Sequence, residues 1–129
     1  MAFVRLRRLR RTEAIREFVS QTQVSAKDLI MPYFVIEGKD KREPITAMPG
    51  ISRLSIDNLI KDIQEIKRLG IKATLLFGIP SKKDNLGRES YFKTGVVQKA
   101  IEAIRNQIKD IVIITDVCLC GYTRHGHCG

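Results

Sequence analysis

The sequence predicts an α/β fold built on a parallel sheet covered by helices. Three observations carry this. Apolar runs begin near residues 29, 71 and 110, a spacing of about forty residues. Each of the first two is followed by an amphipathic segment with steps of three and four. The runs are continuous rather than alternating, as expected of strands buried on both faces.

Composition supports one such unit. The chain has 129 residues, 43% of them hydrophobic and 29% charged, which is ordinary globular usage and not that of a disordered or collagenous chain. At this size, folding buries roughly two-thirds of the extended chain's surface. No apolar run reaches the roughly 18 residues of a membrane-spanning helix, which argues against an integral membrane role.

Charge is concentrated at the start. Arg5, Arg7, Arg8, Arg10 and Arg11 account for more than half of the formal net charge of +9, with Phe3, Val4, Leu6 and Leu9 between them. This reads as an arm that packs on another protein surface. A nucleic-acid contact is the weaker reading, because aromatic residues for base stacking are few. A transit peptide is disfavoured by Glu13 and Glu17, which follow at once.

After the arm, Thr12 is placed to cap a short helix with Ile15, Phe18 and Val19 as its apolar stripe. Residues 29–36 form the first strand, with Pro32 favouring an edge or a strand start because it has no amide donor. Ser55 is the expected N-cap of the next helix. Ile56, Leu59, Ile60, Ile63, Ile66 and Leu69 form its buried stripe, and Gly70 closes it. Residues 71–79 form the second strand, stopped by Pro80. A polar loop over 81–93 is long enough to be functional or to contact a partner. Thr94 opens a second helix with Val97, Ala100, Ile101, Ile104 and Ile108 facing inward, and 110–117 form the third strand. A doubly wound sheet and a partial (β/α)8 barrel both fit. No Gly-rich phosphate loop follows the first strand, and three strands cannot close a barrel.

The chemistry concentrates in the segment Thr115-Asp116-Val117-Cys118-Leu119-Cys120-Gly121-Tyr122-Thr123-Arg124-His125-Gly126-His127-Cys128-Gly129. All three cysteines of the chain lie here, which argues against a disulfide framework and for metal or redox chemistry in a reducing compartment. If the strand persists, Asp116, Cys118 and Cys120 share one face. Cys128, returned by a turn at Gly121 and Gly126, adds a third sulfur. Thiolates beside imidazoles suit zinc; iron–sulfur ligation usually takes four cysteines. His127 or His125 would complete a closed structural site, whereas a catalytic site keeps one position open, and spacing does not choose between them. Asp116 is either an active-site carboxylate or a cap of the following turn. The eleven lysines lie on loops, polar helix faces or, for Lys72, the amino end of a strand, so none reads as a desolvated nucleophile.

The run 116–129 resembles the zinc segment of the porphobilinogen synthase (δ-aminolevulinic acid dehydratase) family. So do Arg7-Arg8-Leu9-Arg10-Arg11-Thr12, Leu29-Ile30-Met31-Pro32-Tyr33-Phe34-Val35, Met48-Pro49-Gly50 with Arg53-Leu54-Ser55, and Leu76-Phe77-Gly78-Ile79-Pro80. The resemblance implies a (β/α)8 TIM barrel, of which 28–129 would supply the first three strands and two crossover helices. Residues 1–27 would be the basic arm with its short helix. It implies condensation of two 5-aminolevulinate molecules to porphobilinogen, for tetrapyrrole and haem synthesis, by a cytoplasmic homo-oligomer, an octamer held through residues 1–20. Cys118, Cys120 and Cys128 would then be the Zn2+ ligands, with His127 a weaker candidate, and Asp116 an active-site carboxylate. The family's Schiff-base lysines and carboxylate-clamping arginines lie on later strands, so these residues alone are expected to be inactive. Other readings are an inert or assembly-only half-barrel and a zinc-containing, basic nucleic-acid-binding module.

Overall fold

The computed structural model describes residues 6–128; Phe3, Val4 and Arg5 of the expected arm, and Gly129, lie outside the described residues. The elements are α1 (Glu13–Phe18), β1 (Ile30–Ile36), β2 (Arg42–Pro44), β3 (Ser52–Leu54), α2 (Ile56–Arg68), β4 (Ala73–Ile79), α3 (Val96–Gln107) and β5 (Val112–Thr115). They form one sheet in the order β2-β3-β1-β4-β5. All neighbours are parallel except β2, which runs antiparallel to β3. β1, β4 and β5 are the strands that the apolar runs predict. β2 and β3 are additional, and three-residue strands leave no periodicity to read.

The core lies between the sheet and the two long helices. Val35 and Leu76 from the strands meet Leu59 and Ile63 from α2 and Ala100 and Ile104 from α3, all essentially without solvent contact. Full burial of each such aliphatic side chain is worth about 1.5–3 kcal/mol, more than the roughly 1 kcal/mol of a hydrogen bond such as Thr74 Oγ1 to the Met31 carbonyl. Apolar helix faces therefore decide the architecture. On the opposite side of the sheet Phe34 and Phe77, paired in register, stack with ring centroids 5.4 Å apart and only partly buried.

Helix ends follow local chemistry, with two departures from expectation. α2 stops as expected: Gly70 takes φ +90°, its amide bonds the Lys67 carbonyl and that of Ile71 bonds Ile66, a paired closure that favours glycine. At its start, however, the Ser55 hydroxyl does not cap the helix. It accepts from the Lys41 amide at 2.9 Å and donates to the Lys41 carbonyl, fastening the segment before β2. α3 is capped by Gly95, not opened by Thr94, because the Gly95 carbonyl accepts the first helical amide, from Lys99.

Pro32 is not on an edge strand, since β1 lies between β3 and β4. Its missing donor is tolerated because pairing with β3 begins only at Phe34. Thr12 caps α1 as expected, its Oγ1 accepting from Ile15 N at 3.2 Å. The α1 stripe is only partly covered by the described residues, though: Ile15 is half-buried, but Phe18 is 90% exposed. No helix among the described residues is long and apolar enough to cross a membrane.

Candidate metal centre

β5 ends at Thr115, so strand alternation does not align Asp116, Cys118 and Cys120 as the sequence suggested. A turn brings the sulfurs together instead. The Leu119 carbonyl accepts from the amides of both Tyr122 and Thr123, folding the chain back at Gly121. Cys128 Sγ then lies 3.2 Å from Cys118 Sγ and 3.3 Å from Cys120 Sγ, and all three sulfurs fall within 4.8 Å of one another. Bonds of about 2.3 Å from a tetrahedral zinc place sulfurs about 3.8 Å apart, so the pairs at 3.2 and 3.3 Å need open by only about half an ångström to receive it. The donor set therefore fits a soft cation.

Neither imidazole joins that group. His125 and His127 are exposed, their rings roughly parallel with centroids 6.4 Å apart, and His125 Nδ1 accepts from the His127 amide. The geometry thus offers three sulfur donors and leaves a fourth position to something outside this cluster.

The thiols differ. Cys128 is drawn down to about 7, first by the Cys118 and Cys120 thiols as hydrogen-bond donors and then by the amides of Leu119 and Cys120, that of Leu119 standing 3.3 Å from the sulfur. Cys120 is pushed up to about 12 by its contacts with Cys128 and Cys118. The Cys128 thiolate is thus readily held at neutral pH, whereas Cys120 gives up its proton there only with a cation present.

Beside the sulfurs is a pocket of about 300 Å³ lined by Phe34, Phe77, Asp116, Cys118, Cys120 and Tyr122, among others, at the carboxyl ends of β4 and β5. In barrels and parallel sheets this is the end where ligands collect. Asp116 is exposed and brings an acceptor to the pocket. Tyr122 packs over Gly78, in the space a Cβ there would need. Burial, then the charges of Asp116 and Glu89, hold its phenol above the ordinary range, so it stays protonated.

Sequence reasoning did not single out Tyr122, Gly78, Thr123 or Asp84. The signal for Gly78 was available, since a lone glycine inside a strand marks a close approach. Asp84 and Thr123 form an isolated parallel bridge between the 81–93 loop and the cysteine turn. The pairing of a loop with a turn has no local sequence pattern.

The family model described as delta-aminolevulinic acid dehydratase matches residues 3–129. A delta-aminolevulinic acid dehydratase of Methanothermus sociabilis is 48% identical over 127 residues, covering 98% of this chain and 39% of that protein. The Bacillus subtilis protein of the same name is 42% identical, with 99% and 40% covered. Among solved structures, delta-aminolevulinic acid dehydratase from Toxoplasma gondii, in complex with the reaction product porphobilinogen, superposes with a TM-score of 0.91 at 36% identity, covering 99% of this chain and 37% of that one. The chain thus spans about two-fifths of the length of these relatives.

Proposed function

Because the chain belongs to the delta-aminolevulinic acid dehydratase family, we propose that it supplies the zinc-bearing part of a (β/α)8 barrel that condenses two 5-aminolevulinate molecules to porphobilinogen with loss of water. The observation that carries this is the convergence of Cys118, Cys120 and Cys128 beside the pocket that holds Asp116. Zinc bound there supplies Lewis-acid polarisation of a substrate oxygen or amine and holds the substrate in place.

The chain's own residues do the rest of what this portion contributes. The three sulfurs hold the ion and leave one position for substrate or water. The Leu119 amide steadies the Cys128 thiolate. Asp116 offers a carboxylate that accepts a proton or orients the substrate amine at the pocket wall. Tyr122 and Gly78 close the pocket base against water. On the same reading, residues 1–27 are an arm and 28–129 the start of the barrel. Leu6, Leu9 and Phe18, all exposed, pack on a neighbouring subunit in a homo-oligomer, an octamer by family resemblance. Free thiols at the site suit a reducing compartment, the cytoplasm.

Metal analysis under reducing conditions tests the reading. About one zinc per chain is expected, lost in Cys118→Ala and retained in His127→Ala. No zinc in the native chain overturns it; loss of zinc in His127→Ala removes the open coordination position.

A further inference from the structure

The loop over 81–93 is bonded to the cysteine turn through the backbone at Asp84 and, separately, through the Arg124 side chain. Arg124 donates its backbone amide to the Asp84 carbonyl at 3.1 Å and its Nε to the Lys83 carbonyl at 3.0 Å. Asp84 and Thr123 pair as a parallel bridge. The Asp84 carboxylate in turn accepts from the amides of Leu86 at 2.8 Å and Arg88 at 3.3 Å, so the loop presents its carbonyls from a fixed frame. On the other side, Thr123 is only 4% exposed, and its hydroxyl donates to the His127 carbonyl at 2.9 Å. That carbonyl belongs to the peptide unit leading directly into Cys128.

Cys118 and Cys120 leave β5 within five residues and are placed by the strand and the turn. Cys128 lies at the far end of a limb that carries Gly126 and is otherwise exposed from Arg124 onward. Without a tether, a flexible limb pays ordering entropy each time its sulfur joins a shared ion. We propose that Thr123 and Asp84 are positioning residues for the metal centre: Asp84 clamps the turn to the 81–93 loop, and the Thr123 hydroxyl fixes the limb so that the Cys128 sulfur stands ready beside those of Cys118 and Cys120. This rests on the zinc reading above and adds the device that makes the third ligand preorganised. Groups that orient metal ligands without touching the ion typically account for about 10- to 100-fold in metal affinity.

The test titrates the 129-residue chain, reduced and metal-free, with zinc against a chromophoric chelator and with cobalt(II) followed by thiolate-to-metal absorption. Thr123→Val, which deletes the hydroxyl and keeps the shape, is expected to weaken zinc about 10- to 100-fold and to reduce the cobalt–thiolate band toward that of two sulfurs. Its metal-free unfolding midpoint should stay close to native. Thr123→Ser restores the donor and should restore both readouts. Asp84→Ala should weaken zinc in the same direction. If Thr123→Val fails to fold, Asp84→Ala, which removes the carboxylate that frames the loop, serves instead, with a smaller loss of affinity expected. Native affinity and a native cobalt band in Thr123→Val, or in Asp84→Ala where it is the variant used, overturn the proposal and leave the zinc reading standing. A native chain that binds neither metal overturns the zinc reading itself, and this proposal with it.

Discussion

The Tyr122 phenol stands where a side chain on Gly78 would have to go, with Val97 of α3 crowding the same point from the helix side. A strand from the sheet, a helix from the core layer and the cysteine turn thus meet at one residue that has no side chain. Gly78→Ala should displace Tyr122 from the pocket base and cost about 1–3 kcal/mol, the usual range for overpacking. Urea unfolding measures the cost, and Tyr122 fluorescence reports the displacement. A variant with native stability would show that the strand or α3 shifts freely and that this contact does not fix the turn.

Much of this arrangement was legible in the sequence, and the reason it was differs by element. α2 announces itself through Leu59, Ile63 and Ile66 at helical steps and Gly70 at its end, because propensity, patterning and capping agree there. The cysteines were legible as a donor set because thiolate chemistry needs no fold to be recognised. How they converge was not. The sequence suggested alternation along a strand, but β5 ends at Thr115, and the convergence depends on the Leu119 carbonyl collecting two amides. Nor was the role of Ser55: it has the residue type and position of an N-cap, yet its hydroxyl is claimed by Lys41, a partner fourteen residues away. Long-range competition for a polar group leaves no trace in local pattern.

The cysteine cluster predicts an ordered reactivity. Cys128 is drawn down to about 7, below the ordinary thiol value of about 8.5, so in the metal-free chain it is largely thiolate at pH 7.5. Cys120, pushed up to about 12, stays protonated across the same range. Limited iodoacetamide treatment of reduced, metal-free protein should therefore label Cys128 well ahead of Cys120, with the Cys128 rate falling as pH drops through about 7. Peptide mass spectrometry over a pH series measures this. Equal labelling of the two would show that the hydrogen bonds around Cys128 do not form in solution. Zinc protects all three.

Just ahead of β1, Asp28 receives the amide and the hydroxyl of Ser25 on one carboxylate oxygen, at 2.9 and 2.7 Å. The Ser25 hydroxyl first, and then its amide, hold the Asp28 carboxyl below the usual range. A depressed carboxylate contributes stability that is fully present above its unfolded value of about 3.9 and is lost as pH falls through the lower folded value. Asp28→Asn should accordingly lower the thermal midpoint at pH 7, and the gap from native should close as both proteins are taken to strongly acidic pH. Because the group is exposed, the effect is small. A gap that stayed constant down to low pH would assign it to amide geometry and not to charge.

No lysine of this chain stands at the site as a desolvated amine. A Schiff-base nucleophile needs an amine that is partly desolvated, so that its neutral form is populated near neutral pH. Every lysine here is exposed except Lys67, and Lys67 is half-buried on α2 with its Nζ donating to the Lys109 carbonyl, away from the pocket. Lys72 precedes β4 at its amino end, the wrong end for the site. Among the described residues the pocket therefore presents sulfurs, a carboxylate and a phenol, but no amine able to form an imine with a ketone substrate. The purified 129-residue chain, loaded with zinc, should form no porphobilinogen from 5-aminolevulinate, and borohydride in the presence of substrate should fix no substrate mass to it. Either turnover or a reduced adduct on one of these lysines would show that a group now seen in solvent enters the pocket when substrate binds.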